Sequence, residues 1–132
     1  MNIRIWVIFG IVLSLVCSAV SADQVPVFSE GETHIKLDKF SPEFRLKLKS
    51  NPTTGYSWFL QQYDKRLIKP VGHDYLKPDS GMVGQGGYEI WTFSLLPEAL
   101  NTATKTKILM VYKRPWEVAG GSKDVTFTVT SG

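Results

Sequence analysis

The sequence predicts an all-β fold, a single-domain antiparallel β-sandwich, on three observations. Apolar and polar residues alternate along short segments, as where Phe44, Leu46 and Leu48 interleave with Arg45, Lys47 and Lys49. That period marks a strand with one buried face. Turn-forming residues recur at roughly 8–12-residue spacing, the rhythm of a sandwich or barrel. Helical periodicity is confined to one possible turn at 97–100.

The chain opens with a targeting segment. Arg4 supplies a positive start, residues 5–16 form an apolar run too short to span a bilayer comfortably, and Val20-Ser21-Ala22 offers small residues for a signal peptidase. Residues 1–22 are therefore expected to be a cleaved signal peptide, leaving a mature domain of 23–132. Cys17 follows Val16, which is larger than the small residue a lipobox carries, so lipidation is not expected. The expected destination is the secretory pathway: export, a periplasm, or a lysosome-like or vesicular compartment. No membrane association is expected after cleavage.

Strand candidates then follow in order. Residues 25–28 and 33–37 supply short early strands. Residues 43–49 carry the alternation above, 56–62 are aromatic-rich, and 66–71 are a weaker strand. Along 88–95, Glu89, Trp91 and Phe93 alternate with Tyr88, Ile90 and Thr92. Residues 105–112 hold a continuous apolar run from Ile108 to Tyr112, expected to be buried on both faces. In 124–130, Val125, Phe127 and Val129 alternate with threonines.

If successive strands from 43 onward run up and down, the connections 50–55, 72–87 and 113–123 meet at one end of the domain. The three unusual sequences, NPTTGY, GMVGQGGY and YKRPWEVAGG, all fall in or at the edges of these connections. Atypical loops grouped at one end of a rigid scaffold make a binding surface.

Composition closes off other functions. Cys17 is the one cysteine, so the mature domain has no thiol chemistry and no disulfide. Fourteen basic residues against twelve acidic ones remain once Arg4 is removed, about +2, with the lysines scattered. That balance does not suggest nucleic acid. His34 and His73 are far apart in sequence with no third ligand suggested, and His73-Asp74 reads as a loop turn. Ser57 lacks a nucleophile-elbow context. No catalytic set, metal site or cofactor is expected, and the chain is not expected to be an enzyme.

Each loop has two readings. In the first, Pro52 fixes φ and restricts Asn51, Gly55 permits positive φ, and Thr53 and Thr54 are stiff at χ1. The loop is either a tight register-keeping turn or a pre-organised probe for another molecule. Phosphate cradling by the glycine loop is ruled out because a strand rather than a helix follows it. That leaves a bare backbone lying against a partner, or plain flexibility. In the third, Arg114 and Trp116 flank Pro115. They are of the types enriched at interface hot spots, unless Trp116 tucks into the core edge.

Taken together, Asn51-Pro52-Thr53-Thr54-Gly55-Tyr56, Gly84-Gln85-Gly86-Gly87 and Arg114-Pro115-Trp116 resemble, in order and spacing, the three loop motifs of the chagasin-type inhibitors of papain-family cysteine proteases. The resemblance covers essentially the whole mature chain. It implies an immunoglobulin-like sandwich whose loops fill a protease cleft reversibly, competitively and without covalent chemistry. Asn51–Tyr56 would enter the centre of the cleft, with Thr53 and Thr54 nearest the catalytic thiol. Gly84, Gln85, Gly86 and Gly87 would lie along one side, and Arg114 and Trp116 along the other. The implied partner is a papain-like, cathepsin L-like enzyme, met by a monomer. Two rivals stand beside this: a glycan-binding module using Trp116 and Tyr88 as stacking platforms, and a small hydrolase whose catalytic set is not visible.

Overall fold

A computed structural model describes residues 24–78, 86–118 and 123–132. The expected signal peptide and its cleavage site lie outside these residues. Among these described residues, eight strands form two four-stranded sheets. They are β1 (Val27–Ser29), β2 (His34–Leu37), β3 (Glu43–Ser50), β4 (Ser57–Gln62), β5 (Ile68–Leu76), β6 (Gly87–Leu95), β7 (Thr104–Lys113) and β8 (Lys123–Ser131). One sheet has the order β1-β3-β6-β5, the other β2-β8-β7-β4. One short helix, α1 (Pro97–Asn101), occupies the expected helical turn.

The alternation along the chain becomes the core between the sheets. Phe44, Leu46 and Leu48 of β3 face Trp58, Ile108, Met110, Phe127 and Val129 of the second sheet, all of them buried. Phe44 and Phe93 stack at 5.5 Å between ring centroids. Arg45 and Lys49 on the opposite face of β3 stay in water. Fully burying each such side chain contributes about 1.5–3 kcal/mol.

Three expectations need correcting. The two N-terminal strands are parallel to their neighbours: Val27 to Ser29 of β1 lie against Arg45 to Lys47 of β3, and His34 to Leu37 of β2 against Thr128 to Ser131 of β8. The sandwich is mixed because both strands join their sheets as edge additions. The weak strand at 66–71 starts at Ile68 and continues to Leu76, so His73 and Asp74 lie in a strand and not in a turn. Antiparallel pairing with β6 carries β5 to Leu76 through a bulge between Pro70 and Gly72. Pro70 is tolerated because β5 is an edge strand. Finally, the apolar run of β7 is not buried throughout: Val111 is buried on the second face, but Leu109 is partly exposed.

The up-and-down arrangement places the three unusual connections together. Ser50 pairs with Gly87, Ser57 with Lys113, and Tyr112 with Lys123. The ends of β3, β5 and β7 and the starts of β4, β6 and β8 therefore meet at one end of the sandwich. At the other end, Asp64 and Arg66 close the β4–β5 turn. The Arg66 guanidinium donates to the Asp64 carboxylate at 3.1 Å and holds its pKa below the ordinary value.

Candidate functional site

Loop 51–56 is a wound-up turn whose hydrogen bonds are made largely within itself. Pro52–Thr54 forms one 3-10 turn, begun by Asn51 and ended by Gly55 at φ +81°, the left-handed region that favours glycine. Asn51 Oδ1 accepts from the Thr53 N–H at 3.3 Å and from Thr53 Oγ1 at 2.6 Å. Thr54 Oγ1 donates to the Asn51 carbonyl at 2.6 Å, and the Tyr56 N–H donates back to Thr54 Oγ1 at 3.4 Å. Both threonine hydroxyls are thus engaged inside the loop. Pro52, Thr53, Thr54 and Gly55 are exposed, and no charged side chain stands among them.

The base of this loop is held by aromatic residues. Trp58 is buried, and its indole N–H donates to the Lys49 carbonyl at 2.9 Å across the loop's two stems. The Tyr112 ring lies 5.1 Å from that of Trp58 and 5.4 Å from that of Tyr56. The Tyr112 hydroxyl accepts the Asn51 N–H at 2.9 Å. A second tie crosses between the sheets. Glu89 of β6 is 4% exposed, accepts the Trp58 N–H at 3.0 Å, and bonds to His73 Nε2 of β5 at 2.7 Å. Trp58 lies on edge strand β4, so Glu89 caps a backbone donor that would otherwise lack a partner at the open side of the sandwich.

The third loop docks on the first. The Arg114 guanidinium stands 4.7 Å from the Tyr56 ring centroid and 5.9 Å from that of Trp116, and its Nε–H donates to the Thr54 carbonyl at 3.3 Å. Glu117 pairs with Arg114 at 3.7 Å, and its carbonyl accepts from Lys113 Nζ at 2.9 Å. Pro115 is exposed. Trp116 is 74% exposed, which rules out the alternative in which it fills the core edge.

The glycine loop is described only at its root. Gly84 and Gln85 lie outside the described residues. Gly87 leaves no room for a side chain without a shift of the backbone, and Gly86 leaves little. A Cβ on Gly87 would fall 2.1 Å from the Leu76 carbonyl, and one on Gly86 would fall 3.1 Å from the Ser50 carbonyl and 3.2 Å from Asn51 Cβ. Gly86 therefore packs its backbone against the stem of the first loop, while Gly87 packs against the end of β5.

All the described residues singled out from the sequence thus stand at one end. Asn51–Tyr56, Arg114 and Trp116 form a contiguous surface, with Gly86 and Gly87 against its flank. Sequence reasoning missed Tyr112, Glu89 with His73, and the ionic partner Glu117. The one available signal was Glu89, a carboxylate in phase with the apolar face of its strand. Among the described residues no group of acidic, histidine or cysteine side chains is arranged to hold a metal ion.

Comparison with known proteins gives this arrangement a family. Residues 39–131 match the model of the chagasin family of peptidase inhibitors, I42. Amoebiasin-2 of Entamoeba histolytica is 32% identical over 111 residues, 81% of this chain and 84% of that protein. Chagasin of Trypanosoma cruzi is 33% identical over 75 residues, 54% of this chain and 64% of that protein. Among solved structures, the cysteine protease inhibitor EhICP2 of Entamoeba histolytica shares the fold with a TM-score of 0.65 at 24% identity, over 82% of this chain and 96% of the other. Amebosin does so with a TM-score of 0.63 at 23% identity, over 83% and 100%. The matched family is one of peptidase inhibitors and not of enzymes. With the family match spanning most of the sandwich and all three loop positions, the chain belongs to the chagasin family of peptidase inhibitors.

Proposed function

We propose that this chain is a reversible, competitive, non-covalent inhibitor of papain-like cysteine proteases, acting as a monomer through loops 51–56, 84–87 and 114–116. The observation that carries the proposal is the first loop: an exposed, uncharged turn whose hydroxyls and amides are largely satisfied within the loop. A protease cleft binds extended chain and cleaves it. A turn held in a 3-10 conformation by its own hydrogen bonds, and clamped by Arg114 and Tyr112, does not relax into an extended strand. It occupies the cleft without offering a carbonyl to the thiol. Little conformational entropy is lost on binding, because the loop is already ordered. Trp116 and Thr53–Thr54 supply apolar contact, and the glycine loop supplies bare backbone.

The test is titration of the 23–132 protein against papain and a cathepsin L-type enzyme with a fluorogenic peptide substrate. The expected result is competitive inhibition that reverses on dilution, with the inhibitor recovered uncut. A folded protein that leaves both enzymes fully active refutes the proposal. Glycan binding has less support, because the Tyr88 ring is already covered by the Lys47 ammonium at 4.4 Å and offers no second platform beside Trp116. Delivery through the secretory pathway belongs to the same proposal. N-terminal sequencing of the protein from its native source should begin at or near Asp23, and an intact Met1 start would exclude it.

A further inference from the structure

We infer that the outer face of the β2-β8-β7-β4 sheet binds an anionic polysaccharide, laid along β8 between two columns of basic side chains. The face is separate from the three loops, and the inference stands whether or not a protease is inhibited. It also differs from sugar stacking on Trp116 and Tyr88, since its contacts are ionic. The lysines look scattered along the sequence, but strand register gathers them. His34 of β2 lies opposite Thr128 of β8, and Thr128 lies opposite Lys107 of β7. One step along, Lys36 lies opposite Thr130, and Thr130 opposite Lys105. These residues alternate with buried Ile35, Ile108, Phe127 and Val129, so they share the face turned away from the core. Strand spacing sets the two basic columns about 9–10 Å apart, with a column of threonines between them.

Little on this face offsets the charge. Asp124 is the one acid within the four strands of this sheet, and it lies opposite Val111, toward the loop end. Lys36, Lys105 and Lys107 have no ionic partner among the described residues. The outer face of the other sheet is mixed in sign, because Arg45, Lys47 and Lys49 share it with Glu43 and Asp74. Beside Lys107 the basic face continues into a surface depression of about 590 Å³ that takes in Lys65, Gln62 and Thr126. The carboxylate on its wall, Asp64, is already held by the Arg66 guanidinium at 3.1 Å.

Charge and hydroxyls together decide the occupant. A linear chain along β8 meets His34 and Lys36 on one side and Lys105 and Lys107 on the other, which suits sulfate or carboxylate groups. Beneath it the hydroxyls of Thr128 and Thr130 can both donate and accept, and neither is engaged among the described residues. Sugar hydroxyls offer the complementary set. A lipid surface is a poorer match, because none of the exposed large apolar side chains among the described residues lies in this sheet to enter a bilayer. Single-stranded nucleic acid is a poorer match because these two rows carry no aromatic residue other than the His34 imidazole on which bases could stack. Lys107 lies about 20 Å along β7 from Lys113, where the third loop begins, so a bound polysaccharide leaves the loops clear.

The experiment measures binding of the 23–132 protein to immobilised heparin, a sulfated polysaccharide, at about 0.1 M sodium chloride, where charges within about 10 Å still act on one another. The parent is compared with the triple variant Lys36→Gln, Lys105→Gln, Lys107→Gln. The control is Arg45→Gln, Lys47→Gln, Lys69→Gln, which removes the same charge from the outer face of the other sheet. The expected result is a dissociation constant about tenfold or more higher for the first triple and within about threefold of the parent for the control. Thr128→Val with Thr130→Val keeps every charge and should weaken binding by about threefold or more. A parent that does not bind heparin overturns the inference, and so does equal weakening by the two triples, because the effect is then net charge alone. Unchanged binding of the threonine variant removes the hydroxyls, and with them the case for a sugar chain. Binding to phosphatidylserine vesicles or single-stranded DNA as tight as to heparin overturns the choice of occupant. Thermal melts of each variant check the fold, and if the first triple melts lower, Lys107→Gln alone is read against Lys69→Gln by the same criterion.

Discussion

Replacing Trp116 with alanine should weaken protease inhibition by roughly 30- to 150-fold while leaving the fold intact. Trp116 is 74% exposed in the free protein. A tryptophan can bury up to about 250 Å², so roughly 185 Å² remains for a partner to cover. At about 25 cal/mol per Å² that area is a ceiling of about 4–5 kcal/mol. The alanine keeps part of it, and ordering the side chain on binding offsets more, which brings the expected loss to about 2–3 kcal/mol. Stability should move by less than about 0.5 kcal/mol, because the ring is largely exposed and meets Arg114 and the neighbourhood of Gly55 only along part of its surface. The assay is the inhibition constant from a fluorogenic titration, run beside a urea unfolding curve. An inhibition constant within twofold of the parent, with the unfolding midpoint unchanged, refutes Trp116 as an anchor. A drop in both would mean the ring stabilises the free protein, against its exposure.

Thr54→Glu should weaken inhibition by more than about 100-fold, because it places an uncompensated charge at the tip and removes the hydroxyl bonded to the Asn51 carbonyl; unchanged inhibition would place Thr54 outside the buried contact. Tyr112→Phe leaves the Asn51 N–H without its acceptor and should cost about 1–3 kcal/mol, read as a fall in the urea midpoint and in inhibition together. Gly87→Ala should destabilise by about 1–3 kcal/mol, since its Cβ meets the Leu76 carbonyl, whereas Gly31→Ala, with open space around it, should stay within about 0.5 kcal/mol. Thermal melts of the pair check this, and equal melting temperatures would contradict the close packing of β5 on β6. Glu89→Ala strands the Trp58 N–H and should cost about 1–3 kcal/mol in urea unfolding; an unchanged midpoint would show that the tie between the sheets contributes nothing.

The parts of this fold that were legible in the sequence are those where one face of a strand is buried and the other wet. β3 was readable because Phe44, Leu46 and Leu48 alternate strictly with residues on the opposite face. β5 was only half readable. Beyond Pro70 it runs along an edge, exposed on both faces for much of its length, so Val71 to Leu76 carries no period, and only pairing with β6 makes it a strand. The parallel attachment of β1 and β2 was not legible, because partner choice at a sheet edge depends on distant residues. The loop residues were legible by type, since proline, glycine and threonine announce special backbone geometry. Their supports were not. Tyr112 reads as the end of an apolar run, and nothing local says that its hydroxyl reaches Asn51, 61 residues away.

The supports explain why the loops can be stiff without being isolated. Each loop root is tied to an element that carries another loop. Glu89 joins the strand leaving the glycine loop to the strand leaving the first loop, Tyr112 joins the strand entering the third loop to Asn51, and Arg114 joins the third loop to Thr54 and Tyr56. A buried carboxylate such as Glu89 is a poor choice if stability alone matters, since an apolar residue of the same volume often serves as well. It is a good choice for setting one relative position of two sheets, because its bonds to Trp58 and His73 are directional where packing is not. The same division runs through the whole end of the domain. Polar groups that hold the loops to one another are satisfied internally. The buried side-chain groups without a partner among the described residues, the Ser50 hydroxyl and the Trp91 indole N–H, take no part in these ties. Rigidity at this end of the domain is thus supplied from within, by directional bonds between elements that each carry a different loop.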